Sequence, residues 1–337
     1  MATQVFCVDK PREYQKAGPS DLIKLLPVPN TNPLFLAKWI PETLVYGIVA
    51  NEIVHLSGPT GSAKTSLIEA LSLVPENFRA ISEALGFPCK ELKLYPIEMA
   101  TYEAPGELYQ RRALKNGCTY DELSGLVQAL REAAKANGQY HHLIWLREIG
   151  RVHSASVQGG LLDIVTKGDI ILPNGEHIDG RGIAWVADSN YQAESDATHT
   201  LVTFDDALRR RFTINLTLDY LSAEQEAQVL HHLVADGQLK PVNDALIAKI
   251  VRLGQVIRRH RSEGSLLSVP PPTIYGYLAF LRMVQALPHL SIQQVATATL
   301  LGNASPDDRK LSSGVFNEVF GLQAEQEDDP TKGGGLF

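Results

Sequence analysis

The spacing of hydrophobic and polar positions changes twice along the chain. From Glu52, short apolar runs alternate with amphipathic stretches, which is the pattern of a parallel sheet with crossover helices. After Asp219 the apolar positions recur at helical spacing. The segment before the first apolar strand is punctuated by prolines, and the last residues are acidic and glycine-rich. We therefore predict an α/β core followed by a smaller helical domain.

These changes set the predicted domain boundaries. We expect an irregular arm over 1–44, the core over 45–219, the helical domain over 220–322 and a disordered tail over 323–337. Core strands are predicted in the five segments EIVHLSG, ELKLYPI, HHLIWLR, GIAWVAD and FTINLTL. Long helices are expected after the first strand, over roughly 119–137 and over roughly 155–166.

Local turn and capping signals add detail to this outline. Asn174-Gly175 stands between two short extended pieces and predicts a hairpin before the fourth strand. In the helical domain, Ser222 with Gln225 and Ser291 with Gln294 have the spacing of capping boxes. Further helices are expected at roughly 241–262, 272–287 and 291–301.

Composition and charge narrow the classes of function. The formal net charge of −7 gives no general attraction to DNA, and we expect no nucleic-acid partner. The basic group at 258–261 is interpreted as a solvated helix end. Three widely spaced cysteines predict neither a disulfide framework nor a zinc site. Because no apolar stretch approaches the roughly 18 residues of a membrane span, we expect a cytoplasmic protein without membrane insertion.

The segment GPTGSAKT carries the clearest chemistry, because it lies between an apolar strand and a helix. Its glycines allow tight turns that point backbone N–H groups at phosphate oxygens, and Lys64 can reach the outer phosphates. The Thr65 hydroxyl can bind Mg²⁺. Ala63 replaces the glycine of the strict pattern, at little cost if the local backbone is helical. The predicted ATP-binding residues are Gly58, Pro59, Thr60, Gly61, Ser62, Ala63, Lys64, Thr65 and Ser66.

A carboxylate is expected at the end of a neighbouring strand, in LIWLREIGRV. Glu148 stands where a residue that polarises the attacking water is expected, but Arg147 occupies the usual place of the magnesium-binding aspartate. Three readings stay open. Arg147 points outward, with Thr65 and waters sufficing for Mg²⁺; Asp188, near the end of the adjacent strand, takes the metal-binding place; or nucleotide is bound with slow or no turnover.

Other polar residues extend the candidate site. Asn190 ends the WVADSN strand, where an amide can position the lytic water. In DDALRRRFTI, Arg211 first and Arg210 second are candidates for stabilising transition-state charge in a neighbouring subunit.

The order of these segments resembles that of the MoxR and dynein-related AAA+ proteins over about residues 45–320. The order is GPTGSAKT, LIWLREIGRV, a hairpin, WVADSNY and ALRRRF, followed by helices. The resemblance implies a P-loop three-layer αβα core with a parallel sheet and a helical lid. It also implies a homo-oligomeric ring, commonly hexameric, with ATP and Mg²⁺ at subunit interfaces. Family members often act as chaperone-like remodellers of enzyme complexes, frequently with a partner that carries a von Willebrand factor A domain. The arginine that the lid commonly supplies at a helix start is absent from VPPPTIYGYL.

Two hypotheses from different classes follow. The first is a ring-forming ATPase that remodels or activates a partner complex, supported by Glu148, Asn190 and Arg211. The second is a nucleotide-binding structural or regulatory module with little or no hydrolysis, supported by Arg147 and the absent lid arginine. A DNA-directed motor is a third alternative, supported by the basic group at 258–261 and the hairpin alone.

Overall fold

A computed structural model describes residues 21–88, 90–135, 138–152, 154–172, 174–190, 205–266, 268–302 and 304–321. The predicted disordered tail and the first twenty residues of the arm lie outside these ranges. Within them, the chain forms a five-stranded sheet with helices on both faces, followed by a helical region.

The five predicted core strands are all present and form one parallel sheet. They are β3 (Ile53–Gly58), β4 (Glu91–Glu98), β7 (Tyr140–Arg147), β10 (Ala184–Asn190) and β11 (Ile214–Thr217). Their order across the sheet is β11-β3-β10-β7-β4. Strand β3 therefore lies between β11 and β10, and its carboxyl end opens beside that of β10.

Helices cover both faces of the sheet, because alternate strand residues point to opposite sides. In β7, Leu143 and Trp145 pack with one set of helices, whereas Ile144 and Leu146 pack with the other. The first set is α1 (Trp39–Ala50), α2 (Lys64–Leu73) and α3 (Pro75–Ala84), and the second is α4 (Gly125–Lys135) and α5 (Ala155–Lys167). The predicted three-layer αβα fold class is thereby confirmed.

In the described part of the core, two hairpins lie between strands of the sheet, and one of them was not predicted. Strands β8 (Asp169–Ile171) and β9 (His177–Asp179) form the hairpin expected around Asn174-Gly175. Strands β5 (Gln110–Lys115) and β6 (Cys118–Leu123) occupy part of the region where a helix was expected over 119–137. Asn116 and Gly117 join them with φ of 52° and 77°, values that favour a tight hairpin turn. The helix prediction is therefore wrong before residue 125.

The arm contains regular structure between residues 22 and 44, and the prediction of an irregular arm is wrong for two strands and the start of a helix there. Strands β1 (Leu22–Leu25) and β2 (Leu34–Ala37) pair antiparallel, and α1 begins at Trp39. In β2, Leu34 and Leu36 join the core cluster that includes α2, whereas Phe35 joins the cluster of the helical region. Strand β2 is thus inserted between the core and the helical region.

The helical region has a hydrophobic core of its own. After the short helix α6 (Asp206–Arg209) and β11, it contains α7 (Ala223–Ala235), α8 (Asp244–Ser262), α9 (Ile274–Ala286), α10 (Ile292–Thr299) and α11 (Pro306–Phe320). Both predicted capping boxes are confirmed, at the starts of α7 and α10. Among the helices of the described ranges, none has both the length and the apolar character needed to cross a bilayer.

Candidate nucleotide-binding site

The segment of residues 58–66, which joins β3 to the first turn of α2 and is called the phosphate loop below, depends on two glycines. Gly58 and Gly61 have φ of 155° and 81°. A Cβ atom on Gly58 would lie 2.1 Å from the Leu218 carbonyl oxygen, and one on Gly61 would lie 2.8 Å from Thr273 Cγ2 in the helical region. Both positions exclude a side chain, so the loop backbone approaches its surroundings closely. The sequence motif thus corresponds to a compact turn at the carboxyl end of a parallel strand.

Ala63 corrects one detail of the sequence interpretation. Its backbone is left-handed, with φ 72° and ψ 18°, rather than helical. This conformation disfavours residues with a Cβ atom by roughly 1–2 kcal/mol, which explains why glycine suits this position in the strict pattern. Alanine is accommodated here at a cost in stability.

Lys64 is the buried cation of the loop, with 6% of its surface exposed. Its Nζ donates hydrogen bonds to the carbonyl oxygens of Gly58 and Pro59, each at 2.8 Å, and to Ser62 Oγ at 3.4 Å. Burial lowers the pKa of the Lys64 ammonium to about 8, although the carboxylates of Asp188 and Glu148 act in the opposite direction. The loop therefore encloses a positive charge that two candidate site carboxylates face.

Helix α2 begins at Lys64, so the amides of its first turn have no carbonyl partner within the helix. The first helical bond near this end is donated by Leu67 to the Ala63 carbonyl. Thr65 and Ser66 lie in this first turn and are half-buried. Free amides and the positive end of the helix dipole together suit an anion.

Asp188 is placed on the strand beside β3 and is 4% exposed. Its Oδ1 accepts hydrogen bonds from Trp145 Nε1 at 2.6 Å and from the Glu148 backbone N–H at 3.3 Å. Burial raises the pKa of the Asp188 carboxyl, while these hydrogen bonds and Lys64 oppose the shift. Asp188 thus links the end of β7 to the charge in the phosphate loop.

Arg147 turns away from the loop. Its guanidinium forms an ion pair with Glu98 at the end of β4, and it lies 4.7 Å from the centre of the Trp145 ring. Strand β4 is on the side of β7 opposite β3, so the cation is directed toward the sheet edge. Arg147 thus points outward, and this orientation is compatible with Mg²⁺ ligation by Thr65 and waters or by Thr65 and Asp188.

Glu148 follows β7 in a left-handed conformation, with φ 51° and ψ 50°. Such a backbone costs about 1–2 kcal/mol in a residue other than glycine, and strain of this kind often occurs at functional sites. The carboxylate Oε2 lies 3.1 Å from Arg151 Nη1, and 37% of the side chain is exposed. Glu148 is therefore an accessible carboxylate beside the buried Asp188.

Asn190 is in register with Gly58, at the end of β10. It is two residues beyond Asp188 and so shares the sheet face that carries α2. The structure thus brings the ends of β3, β7 and β10 together, and with them Lys64, Asp188, Glu148 and Asn190.

Arg210 and Arg211 lie elsewhere. Both are exposed, directly after α6. Thr213, two residues beyond Arg211, accepts a hydrogen bond from the backbone of Ile53, the first residue of β3, at 3.3 Å. About 17 Å of strand therefore separates this point from the phosphate loop. The two arginines are remote from the loop of their own chain.

A cleft adjoins the loop and is lined by three parts of the chain. Its walls are the loop, strand β2 of the arm, and the helical region. The lining residues include Leu34, Leu36, Gly61, Ala63, Tyr220 and Ile274. Tyr220 donates its hydroxyl to the Thr60 carbonyl oxygen at 2.7 Å, and its ring lies 4.3 Å from the Arg258 guanidinium carbon.

The basic group at 258–261 is not a wholly solvated helix end. Arg258 Nη2 is 2.5 Å from Glu226 Oε1, and their side chains are 8% and 2% exposed. Arg261 donates to the Val269 carbonyl oxygen at 2.7 Å. Sequence reasoning missed Tyr220 and Arg258 as site residues. A signal was present for Arg258, since it lies four positions after the buried Gly254 and on the same face of α8.

The sequence matches no protein-family model and no curated protein. A crystal structure of a proposed ATPase from Cytophaga hutchinsonii aligns with 85% of this chain and 89% of its own chain. The two are 14% identical, with a TM-score of 0.37. The fold class therefore rests on the topology of the sheet described above.

Proposed function

We propose that this chain binds ATP with Mg²⁺ at the loop of residues 58–66 and hydrolyses it. The observation that carries the proposal is the loop itself: two glycines with no space for a side chain, a buried Lys64 ammonium, and the unpaired amides that start α2. Successive amides with a lysine beside them suit the triphosphate of a nucleotide. The neighbouring cleft would receive the nucleoside part.

The residues present fit a magnesium ion. The Thr65 hydroxyl and the Asp188 carboxylate offer the oxygen ligands that Mg²⁺ prefers. Within the described ranges, no group of three or more His, Cys, Asp or Glu side chains could hold a metal by itself. The ion would therefore be held jointly with phosphate oxygens, where it would neutralise charge on the transferred group.

The hydrolytic chemistry is assigned to residues at the strand ends. Glu148 would accept hydrogen bonding from the attacking water and polarise it, and Asn190 would orient that water. Lys64 would exchange its present carbonyl partners for phosphate oxygens. Asp188 supports Glu148 by accepting a hydrogen bond from the Glu148 backbone N–H.

We further propose that the chain assembles into a homo-oligomeric ring, with Arg211 and then Arg210 acting on a neighbour's nucleotide. The remoteness of both arginines from their own loop supports action in another subunit. Through such a ring the protein would remodel or activate a partner complex, with a von Willebrand factor A domain protein as the candidate partner. This part of the proposal comes from the resemblance to MoxR-like proteins.

One alternative has specific observations in its favour. Arg147 occupies the place of an expected acidic ligand, and α9 begins at Thr273-Ile274 without a cation. A chain that uses ATP to stabilise an assembly, with little turnover, would tolerate both features. The two functions differ in whether phosphate is released.

The test measures ATP hydrolysis and oligomer size together, with and without Mg²⁺. We expect Glu148→Gln to reduce turnover by about 100-fold, the scale of a lost general base, while ATP affinity is preserved. Glu83→Gln, which neutralises an exposed glutamate on α3, is the matched control and should behave as wild type. Phosphate release unchanged by Glu148→Gln would refute the catalytic assignment. Assembly without any turnover in the wild type would favour the alternative.

A further inference from the structure

Tyr220 lies between β11 and α7, at the junction of the core and the helical region, and contacts the phosphate loop. Its hydroxyl donates to the Thr60 carbonyl oxygen at 2.7 Å. Burial raises the pKa of the Tyr220 phenol, although nearby Arg258 and Arg261 oppose the shift. The hydroxyl thus remains protonated near neutral pH and available as a donor.

This hydrogen bond fixes one peptide group of the loop. In a trans peptide the carbonyl of Thr60 and the N–H of Gly61 lie in one plane and point in opposite directions. Holding the carbonyl toward Tyr220 therefore directs the Gly61 N–H away from Tyr220. Gly61 has no Cβ atom to restrict rotation of this peptide, so an external partner is needed to define its orientation.

The other side of Tyr220 meets the helical region. The Arg258 guanidinium lies over the Tyr220 ring at 4.3 Å and is itself held from two further helices. Its Nη2 contacts Glu226 of α7 at 2.5 Å and the Tyr277 hydroxyl of α9 at 3.1 Å. Its Nε donates to the Pro272 carbonyl oxygen at 2.9 Å.

The contact between Arg258 and Pro272 leads back to the phosphate loop. Pro272 precedes Thr273, whose methyl group leaves no space for a side chain on Gly61. Arg258 therefore positions both the Tyr220 ring and the segment that packs on Gly61. A displacement of the helical region would disturb the Thr60–Gly61 peptide from two sides.

We infer that Tyr220 is a positioning residue that orients the Thr60–Gly61 peptide for phosphate binding, and that Arg258 makes this orientation depend on the position of the helical region. The inference rests on the proposed function, since it assigns the Gly61 N–H to a phosphate oxygen. The contact between Tyr220 and Arg258 would link the nucleotide to the helical region without an arginine at the start of α9.

NMR spectroscopy of ¹⁵N-labelled protein and ATP titration test this inference with Tyr220→Phe, which removes the hydroxyl and retains the ring over Arg258. Without nucleotide, we expect the Gly61 amide ¹⁵N resonance to shift, because the Thr60 carbonyl of the same peptide group loses a hydrogen bond. We expect ATP affinity to fall about fivefold, the scale of one lost hydrogen bond. Tyr120→Phe, in the exposed β5–β6 hairpin, is the matched control and should change neither quantity.

Arg258→Lys tests the link to the helical region, because lysine keeps the charge but loses the planar contact with the ring. Its expected effect is a shift of the same Gly61 resonance in a protein whose Tyr220 is intact. A Gly61 resonance that is unchanged in Tyr220→Phe would overturn the inference, even if Arg258→Lys fails to fold. Wild-type protein that binds no ATP would instead refute the proposed function, while the spectrum without nucleotide would still decide whether Tyr220 orients the loop.

Discussion

At the scale of single residues, the candidate site contains two residues with strained backbones. Ala63 and Glu148 both adopt left-handed conformations, and each lies next to a group assigned to nucleotide chemistry. The identities of Gly58, Gly61, Lys64 and Thr65 could be interpreted from sequence because the motif has a fixed spacing. The conformation of Ala63 could not, because the backbone that an alanine adopts depends on its surroundings.

Ala63→Gly should therefore stabilise the protein. The substitution removes the left-handed penalty but increases the entropy of the unfolded chain, which leaves a net gain of about 0.5–1 kcal/mol in the free energy of unfolding. Urea denaturation measures this change. Ala80→Gly in helix α3, at an exposed position, is the control and should lower stability by about 1 kcal/mol. A decrease in both variants would contradict the strain assigned to Ala63.

At the scale of elements, the sequence predicted the strands and helices that a local pattern determines. It did not predict the elements and contacts that depend on tertiary structure. The parallel strands were recognisable because burial on both faces gives continuous apolar runs. The β5–β6 hairpin was missed although Asn116-Gly117 signals it, because the following residues were assigned to a helix. Strand β2 was missed because its neighbours are prolines, and its role depends on the core and helical surfaces that it separates. The Tyr220–Thr60 contact joins residues 160 positions apart, which no local pattern reveals.

Helix α11 offers a test of one such contact. Asp308 in its first turn accepts hydrogen bonds from the Ser268 backbone N–H at 2.9 Å and from Ser268 Oγ at 2.5 Å. These bonds lower the pKa of the Asp308 carboxyl. A carboxyl whose pKa is lower in the folded state stabilises that state above its unfolded pKa, and this contribution is lost as pH falls through the folded pKa.

Asp308→Asn should thus cost about 1 kcal/mol of unfolding free energy at pH 7, after allowance for partial solvent exposure. The difference from wild type should shrink as pH falls below about 4, the ordinary pKa of the carboxyl in the unfolded chain, and should be lost once the folded carboxyl is protonated at lower pH. Urea denaturation at several pH values measures this difference in unfolding free energy. A difference that stays constant from pH 7 to pH 3 would show that the charge of Asp308 is not responsible.

At the scale of the whole molecule, three parts of the chain meet at one loop: the parallel sheet, the arm strand β2 and the helical region. The sheet supplies the loop and the carboxylates, while the other two parts form the adjoining cleft. Arg210 and Arg211 lie at the opposite end of β3, so the role proposed for them requires a second subunit.

Mixing two variants tests whether Arg211 of one subunit acts on the nucleotide of another. Arg211→Ala should reduce turnover with little change in ATP affinity, and Arg79→Ala on α3 is the control for loss of an exposed arginine. When Arg211→Ala and Glu148→Gln subunits are mixed, random assembly should restore about a quarter of the wild-type interfaces, since each variant supplies the residue that the other lacks. Absence of any recovery in mixed oligomers would contradict action between subunits.

The central claim is that the loop of residues 58–66 binds the triphosphate of ATP through its amides and Lys64. Calorimetric titration of ATP with Mg²⁺ into the wild type, Lys64→Ala and the exposed-lysine control Lys310→Ala tests it most directly. We predict saturable binding to the wild type and the control, and a loss of affinity of at least about 100-fold in Lys64→Ala, the scale of a buried charge-assisted contact. No binding to the wild type, or equal binding to Lys64→Ala, would contradict the claim.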